Sequence, residues 1–437
     1  MSRRAIGRLR PDHTSARPET GPAQSLTAPR SALALLADRT FGPYFAGNLA
    51  SNIGTWFQQI TAAVVVFDVT GSTFMVGLVG VAQFLPSLLL APWTGAAADR
   101  FDRRRLLIVA QSIAAAAASA LAVTTIAFGV DRFPVAWPVL VTALVVGLAH
   151  AVSTPAQQAL VTALVPVVDL DQAVALNSVT FHLARAVGPA VGAFVLVAWG
   201  PGPAFAVNAV SYAALVTGLV VIRPRPIDIA PRTSVWVGFR RLRTDPILAM
   251  LLVGLTALGF GADPMITLSP ALAEKLKDAT FPNPDALVGI LISAFGTGAV
   301  VGTLVVTRAR MRWGHIRVAT GGLALVSAGL AMLGLARGGW TALTGMAIAG
   351  AGYLFGVTSL TTAMHLRVPE GMRGRIMALW GVAFLGSRPV AALVDGSIAD
   401  LASPEVATLV AAGTVAVSAI VMRIRVPADL TSSRPPG

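Results

Sequence analysis

Residues 72–128 read STFMVGLVGVAQFLPSLLLAPWTGAAADRFDRRRLLIVAQSIAAAAASALAVTTIAF, two apolar runs joined by a turn rich in arginine and aspartate. Each run exceeds the about 20 apolar residues that a helix needs to cross a hydrocarbon core of roughly 30 Å. A lipid-embedded segment must satisfy its own backbone, so both runs read as transmembrane helices. Further runs lie on either side, at about 41 to 67, 137 to 163, 172 to 199, 201 to 222, 247 to 272, 286 to 308, 315 to 336, 339 to 366, 372 to 398 and 402 to 422. The expected fold is therefore an all-α polytopic membrane protein with twelve spans in two six-helix pseudo-repeats.

Composition agrees and excludes other classes. Of 437 residues 55% are hydrophobic and only 12% charged, with a mean hydropathy of +0.73, whereas a soluble chain is about 25% charged. A soluble multidomain enzyme is excluded. The absence of cysteine removes disulfides, thiol nucleophiles and iron-sulfur clusters. No G-x-x-x-x-G-K-[ST] loop is present, so nucleotide hydrolysis is not the energy source. Five histidines without ligand spacing imply no metal site. No cofactor is expected.

The net charge of +13 records topology rather than nucleic-acid binding. Of the 33 Lys and Arg, 27 fall in the two tails and one alternating set of connections; four fall in the other set, and Arg185 and Arg388 lie within spans. By the excess of positive charge on cytoplasmic connections, both termini are expected in the cytoplasm and the protein in the cytoplasmic membrane. The expected organisation is a disordered tail at 1–38, a first half at 39–222, a central loop at 223–246, a second half at 247–424 and a tail at 425–437. Ser234 to Arg243 reads either as a short interfacial helix or as plain linker.

The turn after the second span carries a specific pattern: Gly95-Ala-Ala-Ala-Asp99-Arg100-Phe-Asp102-Arg103-Arg104-Arg105. It resembles the G-x-x-x-D-R-x-G-R-R signature of the major facilitator superfamily, with Asp102 where the family usually has Gly. Gly95 permits close helix approach, and Asp99 suits the amides at a neighbouring helix N-terminus. The resemblance implies that this turn latches the two halves when the cytoplasmic side closes. By the repeat, Asp171 at the start of span 5 is expected to meet Arg308, beside Arg310 and Arg312, at the end of span 8. In span 5, Asn177, His182, Arg185 and Gly188-Pro189-Ala-Val-Gly192 resemble the exporter branch that holds macrolide, multidrug and enterobactin exporters, as do Phe205, Asn208, Ser211 and Tyr212 in span 6.

Charged groups at span depth are costly and mark functional sites. In span 1, Asn48, Asn52, Thr55 and Gln59 fall on one helical face, at the depth of Arg185, roughly 20 Å in. They read either as a polar wall of the central cavity or as hydrogen bonding between spans 1 and 5. Asp263 in span 7 and Arg388 in span 11 share a depth of roughly 24 Å by helical rise. Their pairing reads either as a structural salt bridge or as a protonation switch. His150 and His182 titrate in the physiological range and read either as proton carriers or as neutral hydrogen-bonding groups. Asp68 and Asp395 are expected to be solvated near the outer ends of their spans. Trp56, Trp380 and Tyr353 read as core packing, with contact to an apolar substrate as the other reading. The expected function is secondary active export of a small amphiphilic compound by alternating access, with protons as coupling ion, lipids as surroundings and a monomeric state. A nutrient importer of the same fold and an intramembrane enzyme are the alternatives; the second lacks any clustered nucleophile and base.

Overall fold

The computed structural model describes residues 30–130, 136–223, 245–368 and 373–427. The expected tail up to residue 29, the stretch Ser234 to Arg243 and residues from 428 onward lie outside the described residues. The first half comprises α1 (Ala32–Leu36), α2 (Phe41–Thr70), α3 (Thr73–Arg100), α4 (Arg103–Phe128), α5 (Trp137–Leu164), α6 (Leu170–Trp199) and α7 (Pro201–Val221). The second comprises α8 (Pro246–Gly261), α9 (Pro264–Thr267), α10 (Ser269–Leu276), α11 (Pro284–Trp313), α12 (His315–Gly334), α13 (Gly339–Arg367), α14 (Arg373–Leu385), α15 (Ser387–Leu401) and α16 (Pro404–Arg425). Among the described residues there is no strand.

The helix boundaries follow from local chemistry. Ser72, Asp102, Asp245, Asn283 and Ser403 each accept the free amide three residues on, capping α3, α4, α8, α11 and α16. Gly71, at φ +64°, ends α2 in the left-handed region that only glycine enters freely. Residues 30–38 of the expected tail are described: Ser31 caps α1 and Arg30 is tied to the bundle.

Ten helical units among the described residues are long and apolar enough to cross a membrane, with α8–α9 and most of α14–α15 counted as one unit each. The other two long helices are α2 and α6, the expected spans 1 and 5, each of 30 residues. α2 carries Asn48, Asn52, Gln58 and Gln59, which lower its hydropathy, and in α6 the run Val187–Trp199 is apolar.

Within the first half α2 packs on α6 and α7, α3 on α5, and α4 on α5 and α7; within the second, α13 packs on α11 and α12, and α16 on α8 and α12. The halves meet along two seams, α3 with α15 and α6 with α11. The second half has a large apolar core that also takes in Ile60, Val64 and Leu196 of the first half, and a small separate cluster of Val306, Ala309 and Val318. In the first half a layer of buried polar groups, Ser51, Gln58, Gln111, Ser153 and Asn208, separates an apolar cluster around Tyr44 and Leu160 from another around Val66 and Val139.

The seams are tight at one end only. A Cβ added to Gly77 would lie 2.4 Å from the Ala392 carbonyl oxygen, and one added to Gly289 would lie 1.9 Å from the Ala193 Cβ. At Gly95 and Gly381, towards the end that carries Arg100 and Arg103 to Arg105, an added Cβ would meet nothing within 4 Å. The glycine expected to bring helices together thus faces open space here, and the close approach is made at Gly77 instead. We call the Arg103 end the basic end and the Gly77 end the far end.

Candidate functional site

Spans 7 and 11 are both interrupted. Pro264 has no N–H, and its ring would collide with the Phe260 carbonyl, so α8 stops and α9 restarts at the proline. Pro389 does the same to Leu385, and the chain breaks at Gly386 between α14 and α15. Asp263 and Arg388 stand immediately before these two prolines. Irregular backbone at membrane depth is tolerated where it is buried in protein or lines a cavity.

A cavity lies there. It is lined by Gln59 of α2, Phe84 of α3, Asp263 and Thr267 beside the first break and Arg388 beside the second, with apolar side chains between them. Both halves contribute. The Arg388 side chain is buried, its guanidinium carbon 5.3 Å from the Phe84 ring centroid and 5.9 Å from that of Phe384. It is thus a cation held between two aromatic faces, one from each half. Phe384 continues into an aromatic run, 4.9 Å from Trp380 and 6.0 Å from Tyr353, which in turn stands 5.5 Å from Phe295. Trp380 also donates to the Thr361 hydroxyl at 3.0 Å.

Asp263 and Arg388 face the same cavity without a direct ion pair. Asp263 and Thr267 line this cavity from either side of Pro264. Asp395 is 1% exposed, so the expectation of a solvated residue is overturned. The physical reason is the break at Gly386: α15 packs against α3, α8 and α9, which turns Asp395 inward. Asp68 is exposed as expected. Three polar atoms of this cluster, Oδ2 of Asp263, Oδ2 of Asp395 and Nε of Arg388, are buried without a hydrogen-bond partner.

The polar stripe of span 1 divides. Asn48 donates to Asn177 of α6 at 3.0 Å and accepts from Asn52 at 3.0 Å and from Gln157 of α5 at 3.4 Å. Thr55 lies 3.4 Å from the Tyr212 hydroxyl of α7, and Gln59 alone reaches the cavity between the halves. Asn48, Asn52 and Asn177 therefore come together as hydrogen bonding between spans, apart from Asp263 and Arg388. Gln157 is an unexpected member of that group. His150 is half-buried on α5. The side chains of His182 and Arg185 lie outside the described residues.

At the basic end, Asp102 caps α4 through the Arg105 amide at 2.8 Å, so the residue that departs from the family pattern starts span 3. Arg104 donates to the carbonyls of Leu219 and Val220 at 2.5 and 2.6 Å, closing the C-terminus of α7. Arg103 reaches the Ala159 carbonyl of α5 at 3.4 Å, and Arg310 correspondingly reaches Thr362 of α13 at 2.9 Å. Arg100 is exposed, and the Asp99 side chain lies outside the described residues. Asp171 and Arg308 are both exposed and no ion pair joins them. The buried acid of that connection is Asp169, which accepts from the Arg30 amide at 2.8 Å and its Nε at 2.7 Å, while Arg30 also pairs with Asp38 at 2.8 Å. These bonds hold the Asp169 carboxyl below the usual carboxylate range. Asp38 is also lowered: burial opposes its charge, but the amides of Phe41 and Thr40 and the Arg30 guanidinium outweigh it. The second half has a counterpart, Asp245 before α8 paired with Arg367 at the end of α13 at 2.8 Å, both buried. Neither clamp was visible as a contact in the sequence, although both acids stand where a span begins.

At the far end, Asp400 of α15 reaches across to the start of α3. It accepts from the Ser72 hydroxyl at 2.5 Å, the amides of Thr73 and Phe74 at 2.8 and 3.3 Å, and the Thr73 hydroxyl.

Two packed halves of long apolar helices, with a cavity at their boundary that holds Asp263 and Arg388 beside two broken spans, define a multi-pass membrane transporter. The chain belongs to the family described as transmembrane secretion effector, whose pattern matches residues 30–435. Among curated relatives, it is 25% identical over 370 residues to macrolide efflux protein A of Streptococcus pyogenes, covering 82% of this chain and 89% of that protein. It is 26% identical over 388 residues to the enterobactin exporter EntS of Shigella flexneri, covering 83% and 86%. It is also 25% identical to the staphyloferrin A transporter of Staphylococcus aureus over 274 residues, 61% of this chain and 66% of that one. Among solved structures, a D-xylose-proton symporter aligns with a TM-score of 0.70 at 14% identity, covering 88% of this chain and 98% of that one, which shows the major facilitator fold. The expected resemblance to the exporter branch is met by these relatives, which are transporters rather than enzymes.

Proposed function

We propose that the chain is a secondary active exporter that moves a small amphiphilic compound, of the drug, antibiotic or siderophore kind, out of the cell by alternating access. The observation that carries this reading is the cavity at the boundary of the halves, where spans 7 and 11 break at Asp263-Pro264 and Arg388-Pro389. Broken helices beside a site between repeats are the means by which such transporters bind at mid-membrane and rock around the bound compound. Its lining is mostly apolar, with an aromatic run behind it, which suits an amphiphile better than a sugar. The names of the relatives support the same compound class.

In this reading all twelve long helical units cross the cytoplasmic membrane as a monomer, and the basic end faces the cytoplasm. The seams, closed at the far end and open near Gly95, then correspond to an inward-facing state. Protons are the coupling ion; a gradient supplies about 2.3 kcal/mol per charge per 100 mV.

Everted membrane vesicles test this with ethidium, a fluorescent lipophilic cation. Proton-gradient-driven ethidium accumulation that a protonophore abolishes is the expected result. Accumulation in right-side-out vesicles instead would support the importer.

A further inference from the structure

Asp263 and Arg388 are opposite charges that line one narrow cavity yet form no ion pair. Each keeps an unused bonding position: Oδ2 of Asp263 is a buried acceptor and Nε of Arg388 a buried donor, and neither has a hydrogen-bond partner. Burying a charge without its hydrogen bonds is costly, and the surrounding protein groups do not remove that cost. The Phe84 and Phe384 rings attract the guanidinium but offer no acceptor oxygen to its N–H groups. The other polar liners, Gln59 and Thr267, are neutral. Asp395 stands about two helical turns beyond Arg388 and does not line the cavity.

The unused positions describe what would fill them. A cation alone would satisfy Asp263 and leave Arg388 unpaired; an anion alone would do the reverse. A group with both an ammonium and a carboxylate satisfies both and adds no net charge. Its ammonium donates to the Asp263 carboxylate while its carboxylate accepts from the Arg388 guanidinium, both strong charge-assisted bonds. The two ligand charges must lie close together, because Asp263 and Arg388 share one cavity while standing too far apart to bond directly. An ammonium and a carboxylate on one carbon, the head of an α-amino acid, have that spacing. The cavity is too narrow for a whole amphiphile, and the aromatic run places the remainder. Phe384 leads from Arg388 to Trp380 on α14, 4.9 Å away, in the direction of the basic end, where Gly381 faces open space. An apolar body thus extends along these rings towards the open end of the seam.

We propose that the cavity binds the zwitterionic head of an amphiphile of the amino-acid type, with Asp263 taking the ammonium and Arg388 the carboxylate. This rests on the exporter reading for the direction of movement, and it narrows the compound class from amphiphiles in general to those with an amino-acid head.

Equilibrium binding to the purified protein in lipid nanodiscs tests this with Nε-dansyl-lysine, whose free α-amine and α-carboxylate form the head and whose dansyl group is a fluorescent aromatic body. Two analogues each remove one charge: the methyl ester keeps the ammonium, and the Nα-acetyl derivative keeps the carboxylate. The parent should bind the zwitterion at least about tenfold more tightly than either analogue, since a site built to bond a polar group rejects the compound that lacks it. Asp263→Asn should erase the preference over the Nα-acetyl derivative and retain that over the methyl ester, and Arg388→Gln should do the opposite. A variant that is merely damaged would weaken all three compounds alike. Equal binding of the three by the parent, tightest binding of either singly charged analogue, or binding of none overturns the proposal, as does an unchanged order of preference in both variants. Because binding is read without a gradient, failure of ethidium export in vesicles counts against the exporter reading alone.

Discussion

Arg30 is a single side chain that does the work of a hinge pin, joining the start of α2 through Asp38 to the connection before α6 through Asp169. Because both carboxylates are held below their usual range, the clamp contributes stability above that range and loses it as pH falls through the lowered values. Hydrogen exchange should accordingly show residues 32–37 protected at neutral pH and released in acid, and Arg30→Ala should release them already at neutral pH. Unchanged protection in that variant would show that the apolar contacts of Leu35 suffice. The corresponding pair in the second half is fully enclosed, so Arg367→Ala leaves Asp245 buried without its cation, a loss of about 3–5 kcal/mol by analogy with broken buried pairs. Thermal unfolding in detergent should therefore fall much further for Arg367→Ala than for Arg30→Ala, whose partly exposed guanidinium is screened. Part of this was legible in the sequence. The connection before span 5, residues 164–171, holds no Lys or Arg of its own, and the structure shows it borrowing Arg30 from the tail. That loan could not be read beforehand, because pairing over 139 residues is a tertiary event without local periodicity.

Helices α3 and α15 run antiparallel along one seam, and their glycines report where it is shut. A Cβ at Gly77 has no room against the backbone of Ala392, whereas one at Gly95 meets nothing within 4 Å. Gly77→Val should thus force the far end apart, and Gly95→Val should be accommodated in the state described but resist closure of the basic end. A cysteine introduced into either vestibule of this cysteine-free chain can be labelled to check this. Labelling from the far side should rise with Gly77→Val, and labelling from the basic side should stay at or above the parental level with Gly95→Val. Equal labelling of both variants and parent would mean that the seam does not control access. Ten of the expected spans were legible at this scale because lipid forces a span to be a long apolar helix. The inward turn of Asp395 was not, since depth was measured along straight helices at a constant rise. A usable signal was nevertheless present: in spans 7 and 11 the charged residue stands directly before a proline, Asp263 before Pro264 and Arg388 before Pro389. Proline breaks the helix, and a broken helix places its charge at an exposed helix end rather than on a helical face.

Across the whole molecule, the same helix pair carries an acid at each end. Asp400 lies near the C-terminus of α15 and binds the start of α3, while Asp99 near the C-terminus of α3 is the acid proposed to bind the start of α14 when the basic end closes. Each acid suits the partial positive charge of the opposing N-terminus, and rocking about the central cavity makes the two contacts mutually exclusive. In the state described, the Asp400 contact is made, with four donors from the first half on one carboxylate. The exposed Asp171 and Arg308 are unpaired with each other, as a basic-end latch would be while that end is open. Asp400 is partly exposed, so its hydrogen bonds together are worth about 1–2 kcal/mol here, less than their count suggests. Transport requires the two states to be nearly balanced, and 1–2 kcal/mol is a factor of about 5 to 30 in their ratio. Asp400→Ala should therefore shift the population towards the state open at the far end, and Asp99→Asn towards the state described. Distance measurements by double electron–electron resonance between spin labels on α3 and α15 at the far end would show both shifts. The double variant Asp400→Ala with Asp99→Asn should return the distribution close to the parental one, because each change removes a latch from one side of the same equilibrium. A double variant that stays with either single variant would show that the two ends are not coupled through this helix pair.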